Sequence, residues 1–281
     1  MADNKYSSAS DTAAAPAPAA QEVFAHIYRH GIWGTNAQGE GTSGLGSTLH
    51  STLIYRTFLQ QFLKDNAIRS VVDAGCGDWE FSQALDWSGI DYKGFDIVES
   101  AIAEARRKFA KPNIAFFVGN VVELDLPPAD LLLCKHVLQH LPTRDVRIFL
   151  GQLTKYRHVL LTNSVNAKTM SATNADIAVG ECRALDPTAP PFNLPAAKVL
   201  TYWDGHAMHQ VVHIAGSIAP VAGVSPFSES EAKARIESYG FIDVAGLRKG
   251  DQGIWLGRAR KGRIVDVALD VQGNIFVRDA S

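Results

Sequence analysis

Apolar and polar positions follow two alternating periods along the middle of the chain. Five short apolar runs predict buried strands, at 70–74, 92–95, 113–118, 130–134 and 158–162. Apolar positions spaced three and four apart predict helices at 99–109, at 143–155 and from Trp79 onward. Strands that alternate with helices at this spacing are typical of βαβ units. The pattern therefore indicates an α/β fold with a parallel sheet and helices on both faces.

The segment before this region has a different pattern. Residues 1–20 are rich in Ala, Pro and Ser, which predicts a disordered tail. Residues 21–66 predict an N-terminal helical cap, with a short helix, a glycine-rich loop at 31–47 and a longer helix that Ser47 or Thr48 would cap.

The chain after the fifth predicted strand begins with a long connection. Residues 163–226 are rich in Asn, Pro and His, and a connection of this length is usually functional, so we expect a lid or substrate-binding insertion. Beyond it the pattern predicts one helix, two late strands and a terminal hairpin, at 228–239, 241–247, 253–259 and 263–281. Residues 67–262 are then expected to form one domain around a doubly wound, mostly parallel, seven-stranded sheet.

Composition and charge exclude several classes of function. Lysine and arginine total 27 against 29 aspartate and glutamate, and the net charge of -2 offers no basic face to a nucleic acid. The apolar stretch 211–224 is too short and too interrupted to span a bilayer, so no membrane association is expected. The three cysteines are widely separated and no apolar signal run begins the chain. We therefore expect a cytoplasmic protein, monomeric or homodimeric.

Carboxylates flank a glycine turn after the first predicted strand. Gly75 and Gly77 bring a ligand close to backbone N–H groups, with Asp73 and Asp78 on either side. Dinucleotide-binding turns need a third small residue where this chain has Glu80, and acids so placed repel a pyrophosphate. This disfavours a nicotinamide-dependent oxidoreductase. A cationic ligand without phosphate is favoured, and S-adenosyl-L-methionine (SAM) has this chemistry.

A further acid, Asp96, ends the second predicted strand. It lies at the distance beyond the turn at which doubly wound folds carry a ribose-binding acid, and its carboxylate can accept both ribose hydroxyls. The alternative is that Asp73 and Asp96 only end strands and bond neighbouring amides. Their joint placement around one glycine turn favours the ligand-binding interpretation.

Several motifs resemble those of class I SAM-dependent methyltransferases. They are Val71-Val-Asp-Ala-Gly-Cys-Gly77, Gly94-Phe-Asp-Ile97 and Asp130-Leu-Leu-Leu-Cys-Lys-His-Val-Leu-Gln-His-Leu-Pro142. The runs Asn174-Ala-Asp-Ile177, Pro190-Pro-Phe-Asn193 and Trp33-Gly34 are similar to a bacterial subgroup of the small-molecule or sugar type. The resemblance implies a Rossmann-like methyltransferase fold for residues 67–262, with SAM as the cofactor.

The resemblance also assigns residues to the cofactor site. It places Asp73 and the turn glycines at the methionine end of SAM, Asp96 at the ribose and Ile97 against the adenine. Asn120 stands where many relatives have an Asp that reads the adenine amino group, and its carbonyl can accept the same bond. The full implied set is Trp33, Ser47, Asp73, Gly75, Gly77, Asp78, Trp79, Asp96, Ile97, Asn120, Val121, Cys134 and Lys135.

Two histidines after the fourth predicted strand are candidates for a general base. A hydroxyl acceptor must lose its proton, and imidazole is suited to taking it near neutral pH. His136 and His140 follow the strand at the carboxyl edge of the sheet, where ligands bind in such folds. Each can also be a capping or packing residue, and the sequence leaves the choice between the two open.

A second group of histidines lies in the long connection. His206, His209 and His213 are spaced for one face of a helix, but no carboxylate completes a metal motif, so no metal site is predicted. Polar and aromatic residues of the connection are better suited to an acceptor pocket. The candidates are Asn163, Asn166, Arg183, Tyr202, Trp203 and His206.

These features predict an enzyme, a SAM-dependent methyltransferase for a small polar acceptor. We expect in-line transfer to a hydroxyl of a sugar or natural product, with a histidine as the general base. Two alternatives stay open. One is a nitrogen acceptor on an amino compound or peptide, which needs less help from a base; the other is a SAM-binding protein without catalysis.

Overall fold

Two β-sheets and five α-helices make up the part of the chain that the computed structural model describes. The described residues are 19–36, 39, 42–216, 220, 222–271, 273 and 275–280. Residues 1–18 of the predicted tail lie outside this part, as do positions 37, 38, 40 and 41 of the predicted glycine-rich loop and positions 217–219 and 221 of the predicted insertion.

The larger sheet has seven strands. Five are parallel: β1 (Ser70–Ala74), β2 (Asp91–Asp96), β3 (Ile114–Val118), β4 (Ala129–Lys135) and β5 (Tyr156–Val165). They are joined by β6 (Ala197–Trp203) and β7 (Met208–Ala215), in the order β3-β2-β1-β4-β5-β7-β6. β7 is antiparallel to both of its neighbours, β5 and β6, so its direction is opposite to that of the other six described strands of this sheet. The predicted α/β fold with a mostly parallel, seven-stranded sheet is confirmed.

The last two strands of this sheet come from a segment that the sequence predicts differently. β6 and β7 lie inside 163–226, the predicted insertion, and β7 pairs with β5 along its whole length. The branched side chains of Val211, Val212 and Ile214 are buried in the sheet, an environment that suits a strand better than a helix. The helix predicted from the histidine spacing is therefore wrong.

A second, antiparallel sheet follows the first along the chain. Its strands are β8 (Ile242–Lys249), β9 (Trp255–Lys261), β10 (Arg263–Leu269) and β11 (Ile275–Asp279), in the order β11-β10-β9-β8. The two late strands predicted from the sequence are present as β8 and β9, but they belong to the second sheet and not to the larger one. In the larger sheet, β7 occupies the place beside β5. The domain boundary predicted at 262 falls between two paired strands of the second sheet.

The helices are α1 (Ala20–Arg29), α2 (Leu53–Asp65), α3 (Glu99–Phe109), α4 (Thr143–Leu150) and α5 (Glu229–Glu237). Three helix predictions need correction. Trp79 has a left-handed φ of +60°. The segment that begins there consists of turns and one short 3-10 helix, where the sequence predicts an α-helix. Extended backbone at Thr48 delays the start of α2 to Leu53. α4 ends at Leu150, five residues earlier than predicted, and Gly151 follows.

Each face of the larger sheet packs into its own apolar core. Phe24 of α1 and Phe149 of α4 belong to the core on one face. Tyr55 and Leu59 of α2, together with Trp79, belong to the core on the other face. A third core lies between α5 and the second sheet, and a capping box begins α5.

The carboxyl ends of the parallel strands meet at one edge of the larger sheet. β1 ends at Ala74, β2 at Asp96 and β4 at Lys135, so the turns that follow these strands converge there. Within the described residues, every helix is too short or too polar to cross a membrane.

Candidate active site

A cavity opens at the carboxyl edge of β1, β2 and β4. It contains about 950 Å³ of space free of protein atoms, including its open mouth. Most of the residues that the sequence assigned to the cofactor or to catalysis line this cavity. They are Trp33, Ser47, Asp73, Gly75, Gly77, Asp78, Asp96, Ile97, Asn120, Val121, Lys135, His136 and His140.

The glycine turn after β1 forms one wall of the cavity. The backbone N–H groups of Gly75 and Cys76 both donate to the carbonyl of Phe95, at 2.7 and 3.0 Å. Gly75 has a φ of +86°, and a Cβ there would lie 2.1 Å from a methyl carbon of Val137. Only glycine fits this turn without moving the chain that follows β4.

Asp96 ties the turn to the end of β2. Its two carboxylate oxygens accept the backbone N–H groups of Gly77 and Val98, each at 2.9 Å. Burial raises the pKa of Asp96 to about 6, against the lowering effect of these two hydrogen bonds. Each oxygen has a further lone pair, so the carboxylate can hold the turn and still accept hydroxyl groups of a ligand.

Asp73 lies at the end of β1 with a single strong partner. The hydroxyl of Tyr92 donates to it at 2.6 Å. Burial raises the pKa of Asp73 to about 6, the Tyr92 hydroxyl lowers it, and the charge of Asp96 raises it further. Two buried carboxylates in one cavity create a negative potential that a cation would relieve.

The charges lining the cavity fit a cationic ligand. Among the described lining residues four are aspartates, and Lys135 is the one lysine or arginine. These negatively charged side chains suit the ammonium, sulfonium and ribose of SAM better than a phosphate-bearing cofactor. The described part of the chain thus has the acceptors that SAM requires.

A loop from the N-terminal cap closes over the turn. The backbone N–H of Ser43 donates to Asp78 at 2.9 Å, and the backbone N–H of Asp78 donates to the hydroxyl of Ser43 at 2.9 Å. The Tyr28 hydroxyl is 2.7 Å from the same Ser43 oxygen. Lys135 donates to the carbonyl of Gly46 at 2.6 Å. Asp78, predicted as a cofactor residue, therefore also holds this loop in place.

His140 lines the cavity and has one ring nitrogen that can act as an acceptor. Its Nδ1 lies 2.9 Å from the carbonyl oxygen of Glu181, which can only accept, so Nδ1 carries the proton. Nε2 then has the lone pair, with the amide nitrogen of Gln139 at 3.4 Å. The ring lies 4.8 Å from that of Trp33. Burial lowers the pKa of His140, so the neutral form prevails near pH 7.

His136 is part of a chain of hydrogen bonds that the sequence did not reveal. Its Nε2 lies 3.0 Å from Nδ1 of His209, and Nε2 of His209 lies 2.7 Å from Asp204. On the other side of the ring, Nδ1 of His136 lies 3.2 Å from the Lys135 amine. Both ring nitrogens of His136 are therefore engaged. Burial lowers its pKa well below the usual value.

Two predicted cofactor residues point away from the cavity. Trp79 is buried in the aromatic core, where its ring lies 5.1 Å from Phe109 and 5.4 Å from Phe116. Its left-handed backbone turns the side chain under the sheet. The side chain of Cys134 is buried in the opposite core, because side chains along a strand alternate between faces.

The predicted acceptor residues do not line the cavity. Arg183 is buried and donates to the carbonyls of Ala175 and Leu141, so it fixes the connection. Asn163 is buried, and its side chain has no partner among the described residues. Asn166 is exposed and accepts the backbone N–H of Lys168 in its own loop. The ring of Tyr202 is buried, and the side chains of Trp203 and His206 are exposed.

Several lining residues were missed from the sequence. Phe24 and Tyr28 of α1, Ser43 of the loop and Phe81 after the turn all border the cavity. The spacing of Phe24 and Tyr28 indicates a buried helix face, but the neighbouring residues along the chain do not show that this face covers a ligand site. Ser43 belongs to the glycine-rich loop predicted at 31–47, whose pattern does not show which of its residues reach the site.

Comparisons with known proteins agree with this fold. The family model described as a methyltransferase domain matches residues 71–157. Magnesium protoporphyrin IX methyltransferase from Synechocystis PCC 6803, solved with bound SAM, is 17% identical and matches with a TM-score of 0.50, over 71% of this chain and 98% of that one. No curated protein matches the chain.

A second solved structure is more distant. Human N-acetylserotonin methyltransferase, in complex with SAM, is 16% identical, with a TM-score of 0.45; the match covers 72% of this chain and 61% of the human enzyme. At 17% identity, the match to the Synechocystis enzyme supports the fold alone.

The match over residues 71–157 identifies a methyltransferase domain in this part of the chain, and the sheet order agrees with a Rossmann-like methyltransferase fold. Residues 71–157 contain the turn after β1, the acid that ends β2 and both candidate histidines. SAM is the cofactor that this domain implies, as expected from the acid-flanked turn.

Replacement of Tyr92 by phenylalanine is expected to shift the pH dependence of SAM binding. Ionised Asp73 attracts the cation, so affinity falls as the pH falls through the pKa of Asp73, which is about 6. The Tyr92 hydroxyl lowers that pKa, so its removal raises the midpoint, by about one unit. Calorimetric titrations between about pH 5 and pH 8 measure the shift. Tyr156→Phe, at a buried tyrosine outside the cavity, is the control; equal midpoints in Tyr92→Phe and wild type would contradict the expectation.

Proposed function

We propose that this protein transfers the methyl group of SAM to a hydroxyl of a small polar molecule, a sugar or natural product, with His140 as the general base. SAM supplies the methyl group on a positively charged sulfur, ready for in-line displacement. The protein then has to hold the acceptor hydroxyl on the axis of displacement and take its proton.

The state of His140 is the observation that carries this proposal. The Glu181 carbonyl fixes the proton on Nδ1, and this leaves Nε2 as the basic atom. Burial keeps the ring neutral near pH 7, which a base requires. His136, the other candidate, has closer partners at both nitrogens, Lys135 at 3.2 Å and His209 at 3.0 Å, whereas Nε2 of His140 has the longer contact of 3.4 Å with Gln139, so His136 is less suited to meet an acceptor.

A polar group of the cavity outside the cofactor set supports a small polar acceptor. Asp145 lines the cavity together with His140, so its carboxylate is available to a hydroxyl group of an acceptor. Aromatic rings of Phe24 and Trp33 line it as well and can cover the apolar face of a sugar or a ring.

A panel of acceptors tests the proposed reaction. The purified protein is incubated with SAM and sugars, polyols and hydroxylated natural products in one set, and amines and peptides in another. Release of S-adenosylhomocysteine (SAH) is measured. We expect SAH release with members of the hydroxyl set. Turnover with amines alone would overturn the hydroxyl assignment, and SAM binding without turnover in either set would favour a non-catalytic SAM-binding protein.

A further inference from the structure

Lys135 is an unusual residue for a cavity that takes a cation. It ends β4, lines the cavity and is 8% exposed. A second positive charge, the sulfonium, is brought into the same cavity when SAM binds. Two cations in a partly buried space repel each other, because the local dielectric is low, and both draw on the same aspartates of the cavity.

The contacts of Lys135 remain satisfied after loss of one proton. Its amine donates to the carbonyl of Gly46 at 2.6 Å and lies 3.2 Å from Nδ1 of His136. An ammonium has three hydrogens and a neutral amine has two. Both contacts can therefore persist when the third hydrogen is lost and a lone pair takes its place.

A chain of hydrogen bonds keeps Nδ1 of His136 as an acceptor toward the Lys135 amine. Asp204 accepts from Nε2–H of His209, so Nδ1 of His209 has a lone pair. That atom accepts from Nε2–H of His136, which leaves Nδ1 of His136 to face the amine with its own lone pair. The chain thus provides Lys135 with an acceptor that is independent of the charge on the amine.

We propose that Lys135 is uncharged when the cavity holds SAM and protonated when it holds SAH. The inference rests on the proposed function. In the reaction the S–CH₃ bond breaks and its electron pair stays on sulfur, while the new O–CH₃ bond forms and the O–H bond breaks. The proton that His140 takes from the acceptor ends on the Lys135 amine. The total charge of the site is then the same before and after the transfer.

The surroundings of Lys135 place its titration where this exchange is feasible. Burial lowers its pKa to about 7, while the charges of Asp204 and Asp73 raise it. The groups that face it are Asp73 from β1, Asp204 from the turn before β7, the ring of His136 and, through that ring, His209. The rings of Tyr55 and Phe81 also lie over the amine, at 5.6 and 5.2 Å.

Proton counting by calorimetry tests the proposal without an acceptor. SAM and SAH are titrated at about pH 7 in two buffers with different enthalpies of ionisation, which gives the protons released on binding. With a pKa of about 7 in the free protein, SAM is expected to release about half a proton and SAH to take up about half a proton, a difference of about one. Near pH 9 the release that Lys135 contributes on SAM binding should vanish, because the amine is already neutral.

Variants separate Lys135 from other sources of protons. Lys135→Met is expected to lose the wild-type difference between SAM and SAH, whereas Lys93→Met, at an exposed lysine of β2, should keep it. Ionisation of the ligand's own amino group contributes equally to all three proteins. Asp204→Asn provides a second variant that keeps the chain of acceptors. It should move the proton release to lower pH, because Asp204 raises the pKa of Lys135.

The outcomes distinguish this proposal from the proposed function. Equal proton release by SAM and SAH in the wild type would overturn the role of Lys135, and so would an unchanged difference in Lys135→Met. If that variant fails to fold, an unshifted pH profile in Asp204→Asn would overturn it. Absence of SAM binding to the wild type would instead refute the proposed function.

Discussion

Replacement of Asp96 by alanine is expected to weaken SAM binding more than about a hundredfold. The carboxylate holds the backbone N–H groups of Gly77 and Val98 and so fixes the glycine turn against β2. In the substituted protein these donors lose their partner, and the ribose hydroxyls lose the acceptor that we assign to them. Charge-assisted hydrogen bonds contribute about 1.5–3 kcal/mol each, so the loss of two is sufficient for the expected effect.

Calorimetric titration of SAM measures this effect, with NAD as a ligand control that should give no heat. Asp91→Ala is the matched protein control, because Asp91 begins the same strand and its side chain is 55% exposed beside Lys93. That variant should bind SAM as the wild type does. Thermal unfolding of both variants separates lost affinity from lost fold. An Asp96→Ala protein that is folded and binds SAM within threefold of wild type would refute the assignment of Asp96.

Replacement of His140 by glutamine is expected to lower kcat by about 10²–10⁴-fold while SAM affinity stays near that of the wild type. The glutamine amide can still donate to the carbonyl of Glu181, so the local structure is retained, but it cannot take a proton at neutral pH. His206→Gln is the control, because His206 is exposed and outside the cavity, and it should leave the rate unchanged.

The pH profile of the rate distinguishes a base from a packing residue. The neutral imidazole is the active form, so the rate should fall as the pH falls through the pKa of His140. Burial lowers that pKa, which places the decline below the usual value of 6.5. The decline should be absent from the residual activity of His140→Gln. The measurement is SAH release against pH with the acceptor that the panel identifies, and a wild-type kcat in His140→Gln would exclude His140 as the base.

Local pattern was sufficient for the first five strands and for the turn between β1 and β2. These strands are apolar runs of strand length, most of them bounded by an acid or a glycine, a pattern that depends on neighbouring residues alone. The observed strand ends lie within two residues of the predicted ends in every strand but β5. Asp73 and Asp96 could be recognised from the sequence because each lies within the last two residues of a strand. Since carboxyl ends of parallel strands share one edge, their meeting in one cavity follows from the topology.

Local pattern failed where partners were remote in sequence. The spacing of the histidines in 206–213 indicated a helix, but pairing with β5 makes this segment a strand. The strands at 242–249 and 255–261 were recognised as strands but assigned to the wrong sheet, because strand pattern does not specify a neighbour. The acceptor residues predicted in the long connection lie outside the cavity, because the pattern along the chain does not specify which remote residues a side chain contacts.

Residues close along the chain were sufficient to predict the class of fold, the glycine turn, the two acids and the resemblance to SAM-dependent methyltransferases. The hydrogen-bond partners of His136 and His140, and the groups around Lys135, became known from the folded structure alone. Glu181 is 41 positions from His140, and His209 is 73 positions from His136. Hydrogen-bond partners set the proton positions of an imidazole, and partners so far apart in sequence are brought together only by the folded sheet.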